Sequence, residues 1–351
     1  MRDNIQKFLL LGVLLFSVFF LHRNFALPVS QDKKSVPVSV IYTKASEEKK
    51  VSPAAPRPIP LPSFEKQTAF LSKSIVVRSD ESVPALRSPE SVPSETFYPT
   101  RAIPAKPDVH AEAALVADLE TGENYFSFES GKRWPIASLT KLMTAAVAMK
   151  TIDMGQVITL TDIDFHPELG GSALRSGEEY TASDLLEMML LVSSNEAAEA
   201  LSNVQGRTEF VRAMNEQAFL WGLHETFYSE PTGLLSANQA TPDDLRKLAA
   251  ALHRFYPRIF DITRLPQATV TELRSGESKT ISSINLFAGR GDFLGGKTGY
   301  IDESNGNLLS LFSHNGRPII VVVLGTNDRF GETEKLIRWF KNDFTSHTTS
   351  R

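Results

Sequence analysis

The alternation of apolar and polar positions divides the chain into three regimes. Residues 8–21 are an unbroken apolar run preceded by Arg2 and Lys7. At 14 residues the run is short for a spanning helix and suits the core of an export signal. The stretch Asn24-Phe25-Ala26 places a large polar residue where a cleavage site wants a small one. Extension through His22, Arg23 and Asn24 to Leu27 would give a span with flanking residues that snorkel. The expectation for residues 1–27 is therefore an uncleaved membrane anchor, with a cleaved signal peptide as the alternative. Either reading exports the rest of the chain. Residues 28–107 lose all periodicity and hold most of the 20 prolines; the tetrad Glu-Ser-Val-Pro occurs twice, from Glu81 and from Glu90. Such a segment buries too little apolar surface to offset the entropy of ordering, so a disordered, proline-rich tether is expected. About 80 flexible residues span roughly 50 Å r.m.s., enough to carry an anchored domain to a polymer lying off the membrane; a spacer without a length requirement is the alternative.

From residue 108 to residue 345 the pattern is that of one folded domain, followed by a short disordered tail over 346–351. Residues 113–119 and 124–128 read as strands joined by a turn at Glu120-Thr121-Gly122, where glycine admits positive φ. Residues 138–150 read as a helix with Leu142, Ala145 and Ala146 on one side. Thr181-Ala182-Ser183-Asp184 has the form of a capping box and opens a helix whose run 185–192 is apolar nearly all round, hence buried. Thr241-Pro242-Asp243-Asp244 opens another helix with proline in its first turn. Residues 307–312 and 319–325 read as strands around an Asn315-Gly316 hairpin turn. A last helix is expected over 332–344, with Leu336 and Phe340 at i, i+4. Strands at both ends with helices between them predict an α+β domain: one antiparallel sheet covered by helices.

Composition narrows the chemistry. The 351 residues carry a net charge of -4, which gives no footprint for nucleic acid. There is no cysteine, which excludes a disulfide framework, a thiolate metal site and a cysteine nucleophile. The seven histidines are scattered, with no pair at i, i+4 around an acidic residue, so no metal site and no cofactor are expected. His166 and His314 read as surface residues.

Three constellations remain. In Ser138-Leu139-Thr140-Lys141, residues three apart share a helix face, so the serine hydroxyl and lysine amine can meet. A serine at a helix start also faces backbone N–H groups and the positive dipole end, which suit a developing oxyanion. For Lys141 to act as a base its pKa must fall from about 10.4 toward neutrality, through burial and a neighbouring cation. Taken alone, the pattern is equally that of a capped helix with an exposed lysine. Ser193-Ser194-Asn195 comes directly after the buried helix. It is either a cap or a proton shuttle, with Ser193 near Lys141 and Asn195 holding that lysine and a substrate backbone. Gly295-Gly296-Lys297-Thr298-Gly299 places glycines within a strand, which is a sign of a bulge or of close approach by another backbone. An extended peptide could pair there while Lys297 and Thr298 receive its terminal carboxylate. Lys297 would also be the cation that depresses Lys141.

Together and in this order, Ser138-x-x-Lys141, Ser193-x-Asn195 and Lys297-Thr298-Gly299 form the signature set of the penicillin-recognising serine enzymes. The segments around residues 116–122, 135–145, 194–198 and 296–300 resemble the low-molecular-mass D-alanyl-D-alanine carboxypeptidases, peptidase family S11. The resemblance implies a β-lactamase/transpeptidase-like fold: a five-stranded antiparallel sheet with helices on both faces and a helical subdomain. It also implies a mechanism. Ser138 is acylated by the penultimate D-alanine of a peptidoglycan stem peptide, and Lys141 takes its proton. Ser193 passes a proton to the leaving group, and the N–H groups of Ser138 and Tyr300 form the oxyanion hole. Asn195, Lys297, Thr298 and Gly299 would bind substrate, β-lactams would acylate Ser138, and the domain would work on the outer face of the cytoplasmic membrane.

The stretches from Tyr228 to Asn238 and from Tyr300 to Glu303 look more like DD-endopeptidases that cut D-alanyl-diaminopimelate crosslinks, so that activity stands as the alternative. A β-lactamase is a weaker fit: Glu230 would have to activate water, and Ser194 stands where class A enzymes have aspartate. A wall-binding module without activity fits poorly, since every chemical residue is present. Residues 303–307 are the least regular match and a candidate for shaping the leaving-group side.

Overall fold

A computed structural model describes residues 97–99, 106–165 and 174–346. The apolar segment and nearly all of the expected tether lie outside these residues, as do His166 and the tail beyond Ser346. Among the described residues no helix is long and apolar enough to cross a membrane.

The centre is a five-stranded antiparallel sheet. Its strands are β1 (Ala113–Asp118), β2 (Asn124–Phe128), β3 (Phe293–Ile301), β4 (Asn305–His314) and β5 (Arg317–Thr326). The order across the sheet is β3-β4-β5-β1-β2. The two chain ends of the domain therefore meet at its middle, where β1 pairs with β5 from Ala113 opposite Leu324 to Asp118 opposite Ile319. Residues 319–325 are almost continuously apolar because this central strand is covered on both faces. On one face Leu115, Leu309, Leu311, Ile320 and Val322 join the main helical core; on the other, Val116, Leu308, Phe312, Val321 and Val323 pack with Leu336, Ile337 and Phe340. The period of two along each strand assigns the side chains to these two cores.

Seven α-helices are described. They are α1 (Thr140–Thr151), α2 (Ala182–Leu191), α3 (Asn195–Asn203), α4 (Arg207–Leu220), α5 (Pro242–Phe255), α6 (Arg258–Thr263) and α7 (Arg329–Asp343). Caps set several of the starts. Thr181 Oγ1 accepts from Asp184 N–H at the head of α2, Thr241 Oγ1 from Asp244 N–H at α5, and Asp328 from Gly331 N–H at α7. Each satisfies a backbone donor that the helix itself leaves unpaired. The α7 start lies three residues before the expected one because Asp328, not a later residue, supplies the cap. The hairpin of β4 and β5 is longer than expected on both sides; Asn315 and Gly316 at its tip both have positive φ, at 51° and 78°. That conformation matches the twist of the flanking strands.

Phe97–Pro99, inside the stretch expected to be tether, is a strand paired antiparallel with Phe344–Ser346. Order thus begins earlier than residue 108. No local pattern announces this pairing, since its two partners are about 250 residues apart.

Candidate active site

Ser138 stands in a single 3-10 turn, Ala137–Leu139, that leads directly into α1. The expected helix from residue 138 therefore splits in two, with the α portion beginning at Thr140. Neither start has a side-chain cap, so the Ser138 hydroxyl is not spent on the backbone. It accepts a hydrogen bond from Lys141 Nζ at 3.0 Å. Ala137, just before it, takes φ of 49°. A left-handed non-glycine residue costs of order 1–3 kcal/mol and persists only where the surroundings over-determine it. Here the surroundings are Gly299 of β3 and Gly233. A Cβ on Gly299 would lie 2.8 Å from Ile136 O and 3.2 Å from Ser138 N; one on Gly233 would collide with Ala137 O. The glycines of the Lys-Thr-Gly strand thus answer mainly to the chain's own backbone. Gly296 stands against Leu309 O and Gly295 against Phe260 O, with a bulge in the pairing between Phe293 and Gly295.

Lys141 is fully buried. Besides Ser138, its Nζ donates to Asn195 Oδ1 at 2.7 Å and to Thr232 O at 2.6 Å. Burial pulls its pKa down to about 8, while the carboxylates of Glu230, Glu196 and Glu199 act in the opposite sense. Ser193, at φ 61° beyond the end of α2, accepts from Lys297 Nζ at 2.9 Å. Lys297 also donates to Thr298 O at 3.1 Å. It is buried, and burial, then Lys141 and then Arg329 push its pKa well below the usual lysine range.

The expected place of Ser193 near Lys141 gains a detail: its hydroxyl is bonded to Lys297, whose charge interacts with that of Lys141. The depression of Lys141 comes first from burial, and the repulsion between Lys141 and Lys297 is mutual, so it disfavours the charged form of both. The two amines differ in the negative charge that acts on them: three carboxylates raise the pKa of Lys141 against burial, and among the described residues none does so for Lys297. Ser194, between the two expected site residues, is a cap: its Oγ accepts from Ala197 N–H at the head of α3. That helix places Asn195 at its first position, aimed at Lys141.

Tyr300 follows Gly299 on the edge strand β3, with its ring exposed and its hydroxyl donating to Asp302 Oδ1. Arg329 donates to Gly299 O at 2.9 Å. The irregular residues 303–307 do not hang free: Ser304 O accepts from Trp134 Nε1, and Asn307 Nδ2 donates to Pro135 O. They brace the segment that precedes Ser138.

Sequence reasoning passed over the loop from Tyr228 to Asn238 as a contributor to the site, weighing Glu230 only as a water-activating group. The structure makes this loop one wall. Glu230 accepts from Thr232 N–H, Thr232 Oγ1, Gly233 N–H and Asn238 Nδ2, at 2.5–2.9 Å. Asn238 is wholly buried; it accepts from Ser229 and donates to Thr140 Oγ1 and Glu230 O. The turn-forming Pro231-Thr232-Gly233 between the polar Glu230 and Asn238 was the available signal.

The arrangement is that of an activated serine: hydroxyl, amine, and groups that orient the amine. A family model for D-alanyl-D-alanine carboxypeptidases, peptidase family S11, matches residues 100–328. The chain belongs to this family. It is a serine DD-peptidase with the transpeptidase-like fold. It is 31% identical over 286 residues to a D-alanyl-D-alanine endopeptidase of Pseudomonas aeruginosa, covering 78% of this chain and 86% of that one. It is 28% identical to a D-alanyl-D-alanine carboxypeptidase of Mycobacterium tuberculosis, covering 62% and 76%. The crystal structure of penicillin-binding protein D2 from Listeria monocytogenes in its cefotaxime-bound form superimposes with a TM-score of 0.60 at 28% identity, covering 67% of this chain and 99% of that one.

Proposed function

We propose that this DD-peptidase acts on peptidoglycan at the cell envelope, with Ser138 as nucleophile and Lys141 as its base, removing the terminal D-alanine of stem peptides. The observation that carries the reading is the bonding of Lys141. A neutral amine has two N–H donors and one lone pair. Asn195 Oδ1 and Thr232 O are fixed acceptors for two N–H groups. The lone pair is then left for the Ser138 O–H, 3.0 Å away. A pKa of about 8 makes that neutral form accessible near physiological pH.

Ser138 Oγ attacks the carbonyl carbon of the penultimate D-alanine, and its proton passes to Lys141. The oxyanion forms beside the Ser138 and Tyr300 N–H groups, where Gly299 lets β3 come against the nucleophile. The C–N bond breaks, and the leaving amine receives the proton by way of the Ser193 hydroxyl. Water then adds to the acyl ester, restoring Ser138 and releasing a carboxylate. Lys297 and Thr298 take the carboxylate on the leaving side. Supporting this, Lys297 is buried beside Lys141 and Arg329, with no carboxylate raising its pKa. A buried cation without a counter-charge is costly unless an anion arrives. A β-lactam carrying its own carboxylate would use the same contacts and acylate Ser138.

A second reading, hydrolysis of D-alanyl-diaminopimelate crosslinks, is favoured by one observation. The Glu-Pro-Thr-Gly-Leu loop that resembles the endopeptidases is the element that gives Thr232 O to Lys141. The leaving residue of a crosslink also bears a carboxylate, so both substrates fit the same cation. For the N-terminal segment we keep the proposal of an anchor with a proline-rich tether ahead of the catalytic domain.

The test uses the full chain, wild type beside Ser138→Ala, with a fluorescent penicillin and then with muropeptides. Covalent labelling lost in the variant supports the acyl-enzyme. Loss of one D-alanine from monomers selects carboxypeptidase, and dimer-to-monomer conversion selects endopeptidase. A folded wild type that neither labels nor turns over either substrate overturns the reading.

A further inference from the structure

Glu230 is one of the most heavily hydrogen-bonded carboxylates around the site, and no step of the reaction uses it. It is buried, and both its oxygens are occupied. Oε2 accepts from Thr232 N–H at 2.6 Å and from Thr232 Oγ1 at 2.5 Å. Oε1 accepts from Gly233 N–H at 2.6 Å and from Asn238 Nδ2 at 2.9 Å. These bonds close a tight turn whose outward carbonyl, Thr232 O, is the 2.6 Å partner of Lys141 Nζ. The same turn is pinned to α1 from two further sides. Thr144 Oγ1 donates to Pro231 O at 2.6 Å, and Asn238 Nδ2 donates to Thr140 Oγ1 at 3.0 Å. With all its lone pairs directed at donors of its own loop, Glu230 has no geometry for activating a water.

We propose that Glu230 is a positioning residue for Lys141: it folds the Glu-Pro-Thr-Gly turn that supplies the lysine's third hydrogen-bond acceptor, and it brings a buried carboxylate to that same turn. This rests on the reading of Lys141 as the base of Ser138. Two links carry it. The first is mechanical: losing the turn frees the amine to point away from Ser138. The second is electrostatic. A buried lysine with no counter-charge would titrate far below its ordinary value, as Lys297 does. For Lys141, burial lowers the pKa to about 8, and Glu230 is the foremost of the three carboxylates that act against that lowering. The other charged groups facing it are Glu196 and Glu199 on α3, and Lys297 on β3. Glu199 is already paired with Arg207 of α4, at 2.8 Å. Glu196 accepts from Ser194 Oγ at 3.0 Å. Glu230 alone of the three is bonded to the residue whose carbonyl Lys141 holds.

The experiment compares the full-length wild type with Glu230→Gln and Glu230→Asp. One readout is the rate of acylation by a fluorescent penicillin from pH 5.5 to pH 9.5. The other is the titration of Lys141 followed by NMR of ε-13C-lysine, its signal assigned through Lys141→Arg. Folding of each variant is checked by thermal melting. In Glu230→Gln the Lys141 titration and the acidic limb of the acylation profile both move to lower pH, by about one pH unit. The limiting rate falls, because an amide cannot accept from the donors at both ends. In Glu230→Asp the rate also falls, but the acidic limb stays within a few tenths of a unit of wild type. A folded Glu230→Gln whose Lys141 titrates as in wild type overturns the proposal and leaves Glu230 a scaffold residue. If the Lys141 titration moves while penicillin labels none of the proteins, Glu230 keeps its role and the acyl-enzyme reading fails instead.

Discussion

Replacing Lys141 by methionine should stabilise the fold at acidic pH more than at alkaline pH, by an amount the structure sets. In the unfolded chain this lysine titrates near its ordinary 10.5; in the fold it titrates at about 8. The gap is about 2.5 pH units, and at about 1.4 kcal/mol per unit the buried charge costs the fold about 3 kcal/mol. The sign comes from proton binding. Below pH 8 both states hold the proton and the full cost is present. Between pH 8 and 10.5 the unfolded chain holds it and the fold does not, so wild-type stability rises with pH through that window. Methionine has no such dependence. It also gives up three hydrogen bonds, to Ser138, Asn195 and Thr232, which adds an offset of similar size at every pH. The difference in stability between variant and wild type should therefore shrink by about 2 kcal/mol from pH 6 to pH 9.5, whatever that offset is. Removing Lys141 also lifts its repulsion of Lys297, which works in the same direction at low pH. The assay is urea unfolding of both proteins at the two pH values. All other titrating groups are common to the pair and cancel, apart from those coupled to Lys141. A difference that stays constant between pH 6 and 9.5 would mean that Lys141 keeps its ordinary pKa, and would remove the basis for treating it as the base.

Lys297→Met should raise the urea midpoint at pH 7 while abolishing penicillin labelling, because burying this amine beside Lys141 and Arg329 costs stability. Gly233→Ala should abolish labelling and destabilise by about 3 kcal/mol or more: φ is +87° and the new Cβ meets Ala137 O, so the turn carrying Ser138 must move. Thermal melting and labelling of the soluble fraction read both effects. Asn238→Ala should cost about 2–4 kcal/mol in urea unfolding, since it strands Thr140 Oγ1, the Ser229 N–H and part of Glu230 in a dry interior.

Much of the architecture was legible because it is written in local pattern. The apolar strands expected over 113–119 and 307–312, the Asn315-Gly316 hairpin, the Thr181 and Thr241 caps and the apolar helix after Ala182 all depend on interactions within a few residues. The short helix α3 and the hairpin of Gln267–Thr271 with Ser278–Ser282 were not foreseen: the apolar stripe of α3 is nine residues long at most and made mainly of alanine, and the hairpin strands are five residues each with few apolar positions. The pairing of Phe97–Pro99 with Phe344–Ser346 had no local signal at all.

The same division runs through the site. The spacing of three residues by itself allowed Ser138 and Lys141 to share one helical face, and the order of the three segments pointed to the family; the hydrogen bond between the two side chains came with the fold. Only the tertiary structure decided how those segments are wired. Lys297 reaches Ser193 across 104 residues and Thr232 O reaches Lys141 across 91. Such contacts are fixed by how the sheet edge, α1 and the Glu230 turn pack, not by anything the residues prefer locally. Electrostatics obeyed the same rule. A lysine in a sequence is a cation of pKa about 10.4; that burial lowers one of these lysines to about 8 against the pull of three carboxylates, and lowers its neighbour with no such pull, comes from which groups the fold places beside each.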